Sequence, residues 1–264
     1  MVNSQESSKL RILRKLGKLY SRSGKGLEAI EKFNEALNYC STPEETAQVL
    51  IDIAETHQRR SEYPQAIDYL NRALEKIKDK SAHLERASIY RDMGWVHYLL
   101  GKFDVAKSYC DKALHELDKV DDKKEANLSR ARIYNILASI AGRTGKIKDA
   151  YEYYMKAQKI YEEANDLAGL GTIYNNIVGY FASQGDYLKS IEYLKKALEI
   201  DKKIGNALGE AIVNYNLGEE YLNLGELELA KKHLDRYQEL NKLIHNRLGE
   251  GWAHEGYCEW YMLQ

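Results

Sequence analysis

From residue 214 the chain reads Asn-Tyr-Asn-Leu-Gly-Glu-Glu-Tyr-Leu-Asn-Leu-Gly, with Leu217, Tyr221 and Leu224 at i, i+4 and i+7. That spacing places three apolar side chains on one face of a helix. Past Gly225 the pattern resumes with Leu227, Ala230, Leu234 and Tyr237, again at helical spacing. Two amphipathic helices joined by a short turn are predicted. A glycine inside a helix costs about 1 kcal/mol against alanine. Just past a helix end it is favoured, because the left-handed conformation wanted there carries no Cβ penalty for glycine. Gly225 is therefore read as the turn. Gly218 is read as a small residue where two helices cross closely.

The same pattern recurs along the chain, and repeats decide the architecture. Turn positions fall at Gly24, Ser61, Gly101, Gly145, Gly185 and Gly225, 37 to 44 residues apart. Five residues after each stands Ala29, Ala66, Ala106, Ala150, Ser190 or Ala230, and seven further on Ala36, Ala73, Ala113, Ala157, Ala197 or Tyr237. Four before the turn come Tyr20, His57, His97, Ala141, Phe181 and Tyr221, and seven before it Gly17, Ala54, Gly94, Ala138, Val178 and Gly218. Each copy is expected to be one helix pair. Prolines are confined to Pro43 and Pro64, as long helices require. Arg247 to Gln264 matches the first helix of a seventh copy, so the chain is expected to be a piece of a longer protein.

The sequence Leu16-Gly17, Tyr20, Gly24, Ala29, Ala36, repeated as Leu217-Gly218, Tyr221, Gly225, Ala230, resembles the tetratricopeptide repeat family. The period is nearer 40 than the usual ~34, and the proline that normally closes each repeat is missing. The second helices should be longer by about a turn and a half. The variant is similar to repeats of cell-polarity adaptors, kinesin light chains and bacterial regulators; Asp166 and Asn206, each leading into a next helix, fit it. The resemblance implies an all-α fold, a right-handed α-solenoid of stacked antiparallel helix pairs forming one domain over 1–264. Its repeats are expected at 9–42, 46–81, 86–121, 128–164, 168–206 and 208–246, with a partial one at 248–264.

Composition narrows the function by exclusion. The net charge is −1, which provides no long-range pull toward nucleic acid or an acidic membrane. No apolar run approaches the ~20 residues of a membrane span, and no secretory leader is evident. A cytoplasmic location is expected. Cys40, Cys110 and Cys258 are too few and too scattered for a disulfide framework and read as partly buried free thiols. Gly169-Leu-Gly171 has Tyr174 where a dinucleotide fingerprint needs glycine, and Ser23-Gly24-Lys25-Gly26 lacks phosphate-loop spacing. His254 and Cys258 share a helix face, but no second ligand pair accompanies them. No catalytic constellation can be assembled. The expectation is a non-enzyme with no cofactor and no metal.

Stacked helix pairs build an extended concave surface, and by the resemblance the first helices line it. The expected peptide-binding residues are Arg14, Lys18, Arg91, Trp95, Arg132, Asn135, Asn175, Asn176, Tyr215 and Asn216. The concave positions of the first four copies hold nine basic and three acidic side chains, whereas the later ones hold only Glu219, Glu255 and Glu259 as charges. A basic half suits an acidic segment. Asparagine, with both donors and an acceptor, suits the backbone of an extended peptide. The alternative for these side chains is plain solvation. The family's clamp for a C-terminal carboxylate is not reproduced, because Lys18 and Asp52 stand where it wants asparagine. The partner expected is a protein or peptide, not nucleic acid or membrane. Two further readings stay open: a regulatory segment controlling an output domain past Gln264, and self-assembly of copies through a terminal docking surface of Trp252, Trp260 and Met262.

Overall fold

The computed structural model describes residues 2–77, 82–244 and 246–263, and every regular element among them is a helix. The expected repeat ends at 81 and 264 lie outside the described residues. The chain divides into two compact units, Met1–Ile136 and Leu137–Gln264. The first holds α1 (Val2–Arg22), α2 (Gly26–Leu37), α3 (Pro43–Arg59), α4 (Tyr63–Lys76), α5 (His83–Leu99), α6 (Phe103–Leu117) and the start of α7 (Lys123–Arg143). The second holds the end of α7 with α8 (Ile147–Ala164), α9 (Leu167–Asn176), α10 (Val178–Ser183), α11 (Tyr187–Ile204), α12 (Ala207–Asn223), α13 (Leu227–Leu243) and α14 (Arg247–Met262).

All six turn positions adopt positive φ, from 59° at Ser61 to 77° at Gly24. At each, the next N–H reaches back five residues, as Lys25 N to Tyr20 O and Glu226 N to Tyr221 O, both 2.9 Å. This bond satisfies a carbonyl that the helix end leaves orphaned. It also fixes the angle at which the second helix returns.

The small residues act at the crossings. Ala29, Ala66, Ala106 and Ala230 are fully buried, as are Ala36, Ala73, Ala113, Ala157 and Ala197. A Cβ on Gly218 would meet Leu234 Cδ2 at 2.9 Å, and one on Gly94 would meet Cys110 Sγ at 2.9 Å. Four of the six positions four before a turn stack on the partner helix: His57 on Tyr69, His97 on Tyr109, Phe181 on Tyr193 and Tyr221 on His233, with ring centroids 5.2 to 5.5 Å apart.

Against 12, 14 and 15 residues in α2, α4 and α6, which lack the lengthening expected from the period, helices α8 and α11 run 18 residues each. They end in left-handed Asn165 and Gly205. The next helices then start on a repeated cap: Asp166, Asn206 and Asn246 accept from the N–H of Gly169, Gly209 and Gly249. Buried Asp201 and Asn241 steady two of these caps, accepting from Asn206 Nδ2 and Asn246 Nδ2 at 2.7 Å.

Three expectations need correction. The first helix of the fifth copy is not continuous, but is interrupted at Ile177. There Tyr180 N–H turns to the Ile177 carbonyl, and buried Ser190 donates to Val178 O at 3.3 Å. A hydroxyl entering the backbone ladder is a known cause of helix breaks, and Ser190 replaces the alanine of the other copies. Trp260 is 6% exposed and donates its Nε1–H to Leu227 O at 2.9 Å. It anchors α14 to α13 and presents no docking surface, whereas Trp252 and Met262 are 62% and 76% exposed. Cys258 is exposed rather than partly buried, while Cys110 is buried, its thiol pushed up to about 12 by the loss of water.

Candidate protein-interaction surface

In the first unit, successive first helices α1, α3, α5 and α7 line one cleft of about 640 Å³. Its walls are Lys18, Arg22, Glu55, Gln58, Arg91, Asp92, Trp95, Arg132, Asn135 and Ile136, with Ala54 and Leu70 at the floor. The ten wall residues all sit at the register positions opposite the Leu-Gly-x-x-Tyr stripe. Five of the expected site residues, Lys18, Arg91, Trp95, Arg132 and Asn135, are thereby brought together. Arg14 lies outside this cleft. It lines a smaller depression of about 330 Å³ with Lys15 and Lys18.

Charge in the cleft is partly spent inside the protein. Asp52 is 3% exposed and holds both Arg14 Nε at 2.7 Å and Lys18 Nζ at 3.1 Å. Arg91 clasps Asp92 at 2.7 Å and Ser88 Oγ at 3.0 Å. Burial drives the Asp92 carboxyl above its usual range, against the pull of Arg91 and Arg132. The basic surplus therefore resides in exposed side chains with no ion-pair partner among the described residues, which in this cleft are Arg22 and Arg132. Between them Trp95 stacks on Tyr98 at 5.1 Å, a flat apolar wall. The surface offers two open guanidiniums, one indole face and the Asn135 amide.

In the second unit the asparagines form a row. Asn216 Nδ2 donates to Asn175 Oδ1 at 2.8 Å, and Asn175 Nδ2 to Asn176 Oδ1 at 3.3 Å. These bonds hold the amides in place, and each amide carries two donors and an acceptor oxygen with two lone pairs. Asn214 is turned inward, 2% exposed and bonded to Glu210 O and His233 Nδ1. Tyr215 packs on Tyr237 and is hydrogen-bonded to Glu219. Burial raises its hydroxyl well above the ordinary value, and Glu219, Glu255 and Glu259 add to the effect. The second unit is thus acidic beside its amide row.

Sequence reasoning missed Glu220. It is 5% exposed, with Oε2 unpartnered. A signal was present: Val96 and Ile140 occupy the same register position in other copies. His254, Cys258 and the other candidate ligands form no metal-holding group among the described residues. No described helix is long and apolar enough to cross a membrane.

Helix pairs stacked through alanine and glycine crossings, carrying variable polar side chains on one face of their first helices, define a helical-repeat scaffold for protein interaction. The tetratricopeptide repeat model matches residues 8–79, 45–114, 129–203 and 169–242, and the chain belongs to the tetratricopeptide repeat family. Kinesin light chain-related 3 of Arabidopsis thaliana is 30% identical over 156 residues, 56% of this chain and 24% of that protein. The chain spans about a quarter of the length of this curated relative. Among solved structures, aspartyl phosphate phosphatase F of Bacillus subtilis matches with TM-score 0.71 at 16% identity, over 100% of this chain and 72% of that one. BtubC (BKLC) of P. vanneervenii matches with TM-score 0.63 at 17% identity, over 92% and 91%. A Rap protein complexed with competence and sporulation factor matches with TM-score 0.73 at 15% identity, over 95% and 80%. At these identities the likeness is one of fold. Members of the family are in general non-catalytic scaffolds with protein partners.

Proposed function

We propose that this chain holds an extended, acidic segment of a partner protein on the concave face of its first helices. The observation that carries the reading is the cleft of the first unit: ten of its lining residues are those that helical geometry places on that face, and its open charges are both guanidinium. A carboxylate on the partner would find bidentate donors in Arg22 and Arg132. Trp95 offers a face for an apolar or planar group, and Asn135 a donor and acceptor for main chain. In the second unit, Asn175, Asn176 and Asn216 would bind peptide backbone in the same way. Tyr215 and Glu219 beside them would disfavour a carboxylate.

The test is selection of peptides from a random displayed library on the whole protein, followed by anisotropy titration of the enriched sequences. Enrichment of acidic residues is expected. The double change Arg22→Glu and Arg132→Glu should weaken binding more than ten-fold, and Asn175→Ala with Asn176→Ala should do the same for peptides that reach the second unit. Selected peptides that are neutral or basic, or that bind both double variants like wild type, would sink the assignment.

A further inference from the structure

The register that runs through the copies specifies what each first helix meets on either flank. Val49, Ile53 and Thr56 of α3, and Ile89, Met93 and Val96 of α5, share three register positions and are all buried. Each triple is covered by the helix pair before it; Val49 and Ile53 pack on Ala29, Phe33 and Ala36 of α2. In α1 the same three positions are Ile12, Leu16 and Leu19, which are 55%, 38% and 63% exposed. A solenoid face that stays in water carries polar residues there. This one keeps the apolar set.

A polar contact joins neighbouring first helices as well. Arg14 and Lys18 of α1 close on Asp52 of α3, and Asn175 of α9 accepts from Asn216 of α12. The register places Glu255 and Glu259 of α14 where Arg14 and Lys18 stand in α1, and Lys15 of α1 where Asp52 stands in α3. Glu255, Glu259 and Lys15 are exposed and have no ion-pair partner among the described residues. They form the charge-inverted counterpart of the Arg14–Lys18–Asp52 contact, with its two halves at opposite ends of the repeat series. Beyond them α14 ends in Tyr261, Met262 and Leu263, 68%, 76% and 56% exposed.

We propose that α14 of one copy of this chain docks on α1 of a second copy, head to tail, with Glu255 and Glu259 closing on Lys15 and the apolar end of α14 covering Leu16 and Leu19. Like-to-like pairing is opposed by charge, since two α1 helices would face Arg11 and Lys15 with their own kind and two α14 helices would face four carboxylates. The contact is therefore heterologous and leaves a free end on each complex, so association continues as concentration rises.

Sedimentation equilibrium of the whole chain tests this. The average mass should climb with protein concentration at low ionic strength and fall when salt screens the charges. Lys15→Glu, or Glu255→Lys with Glu259→Lys, should each weaken association at least ten-fold, with unchanged helicity by circular dichroism. Mixed in equal amounts, the two variants should regain wild-type association, because opposite charges again meet at every junction. A wild-type chain that stays monomeric at all concentrations, a single variant that still associates, or a mixture that fails to recover would each overturn the proposal.

Discussion

Replacing Glu220 by Gln should stabilise the protein by an amount that grows with pH. The carboxyl is 5% exposed on α12. Its near partner is the Ser190 hydroxyl, whose one hydrogen is already directed to Val178 O. A protonated Glu220 can donate to Ser190 Oγ while Ser190 donates onward, whereas an ionised one competes for that hydrogen and leaves Oε2 bare. Burial, reinforced by the nearby Glu219 charge, raises the group from 4.5 to about 7. The unfolded chain ionises this residue near its ordinary value and the folded chain only near neutrality. Stability from this group is therefore present at low pH and lost as pH rises through about 7. A rise of that size corresponds to a penalty of about 3 kcal/mol once both states are ionised, and under about 1 kcal/mol at pH ~5. The Gln variant carries no such dependence. Urea denaturation of both proteins between pH ~5 and ~8 measures it: the gain on substitution should widen by about 2 kcal/mol across the range. A gain that stays constant with pH, or shrinks toward alkaline pH, would refute a neutral buried carboxyl.

Other expectations follow from single side chains. Ser61 is the turn residue that bears a Cβ at φ 59°, so Ser61→Gly should raise the thermal midpoint, with a gain of roughly 0.5–1 kcal/mol from relieving the left-handed strain. His97 is stacked on Tyr109 with a buried Nδ1 that has no partner, and burial lowers its ability to take a proton. Its folded-state value lies below the unfolded one, so the cost appears as pH falls; His97→Phe should stabilise the fold, by about 1 kcal/mol near neutrality and more in acid, as denaturation at both pH values would show. Asp52→Asn leaves Arg14 and Lys18 without their shared anion. Both cations reach solvent, so the loss should be about 1–2 kcal/mol rather than the larger cost of stranding a buried charge, read from the shift in urea midpoint.

Much of this fold is local, and to that extent it was legible in residue order. Turn glycines, the alanines that follow them and the apolar stripes are all set within about 40 residues, and they repeat. Repetition let six weak signals be read as one, and even Ser61 took the left-handed conformation that its place in the series required. The lining of the first unit's cleft was legible for the same reason: the residues opposite a helical stripe follow from helix geometry alone.

What residue order left open were pairings between copies. Whether Lys18 is an open charge or half of a pair depends on Asp52, one repeat away and in contact only once α1 and α3 stack. Trp260 looked like docking surface until α13 was beside it, with the Leu227 carbonyl in reach. Ser190 differs from alanine by one oxygen, yet its meeting with Val178 O and Glu220 depends on α10, α11 and α12 all being in place. The sequence by itself determined the repeat, its register and the face that looks outward, because those rest on periodicity and backbone conformation. Tertiary structure alone decided which polar side chains are spent on one another and which remain for a partner, because hydrogen bonds and desolvation act over a few ångströms between residues far apart in the chain.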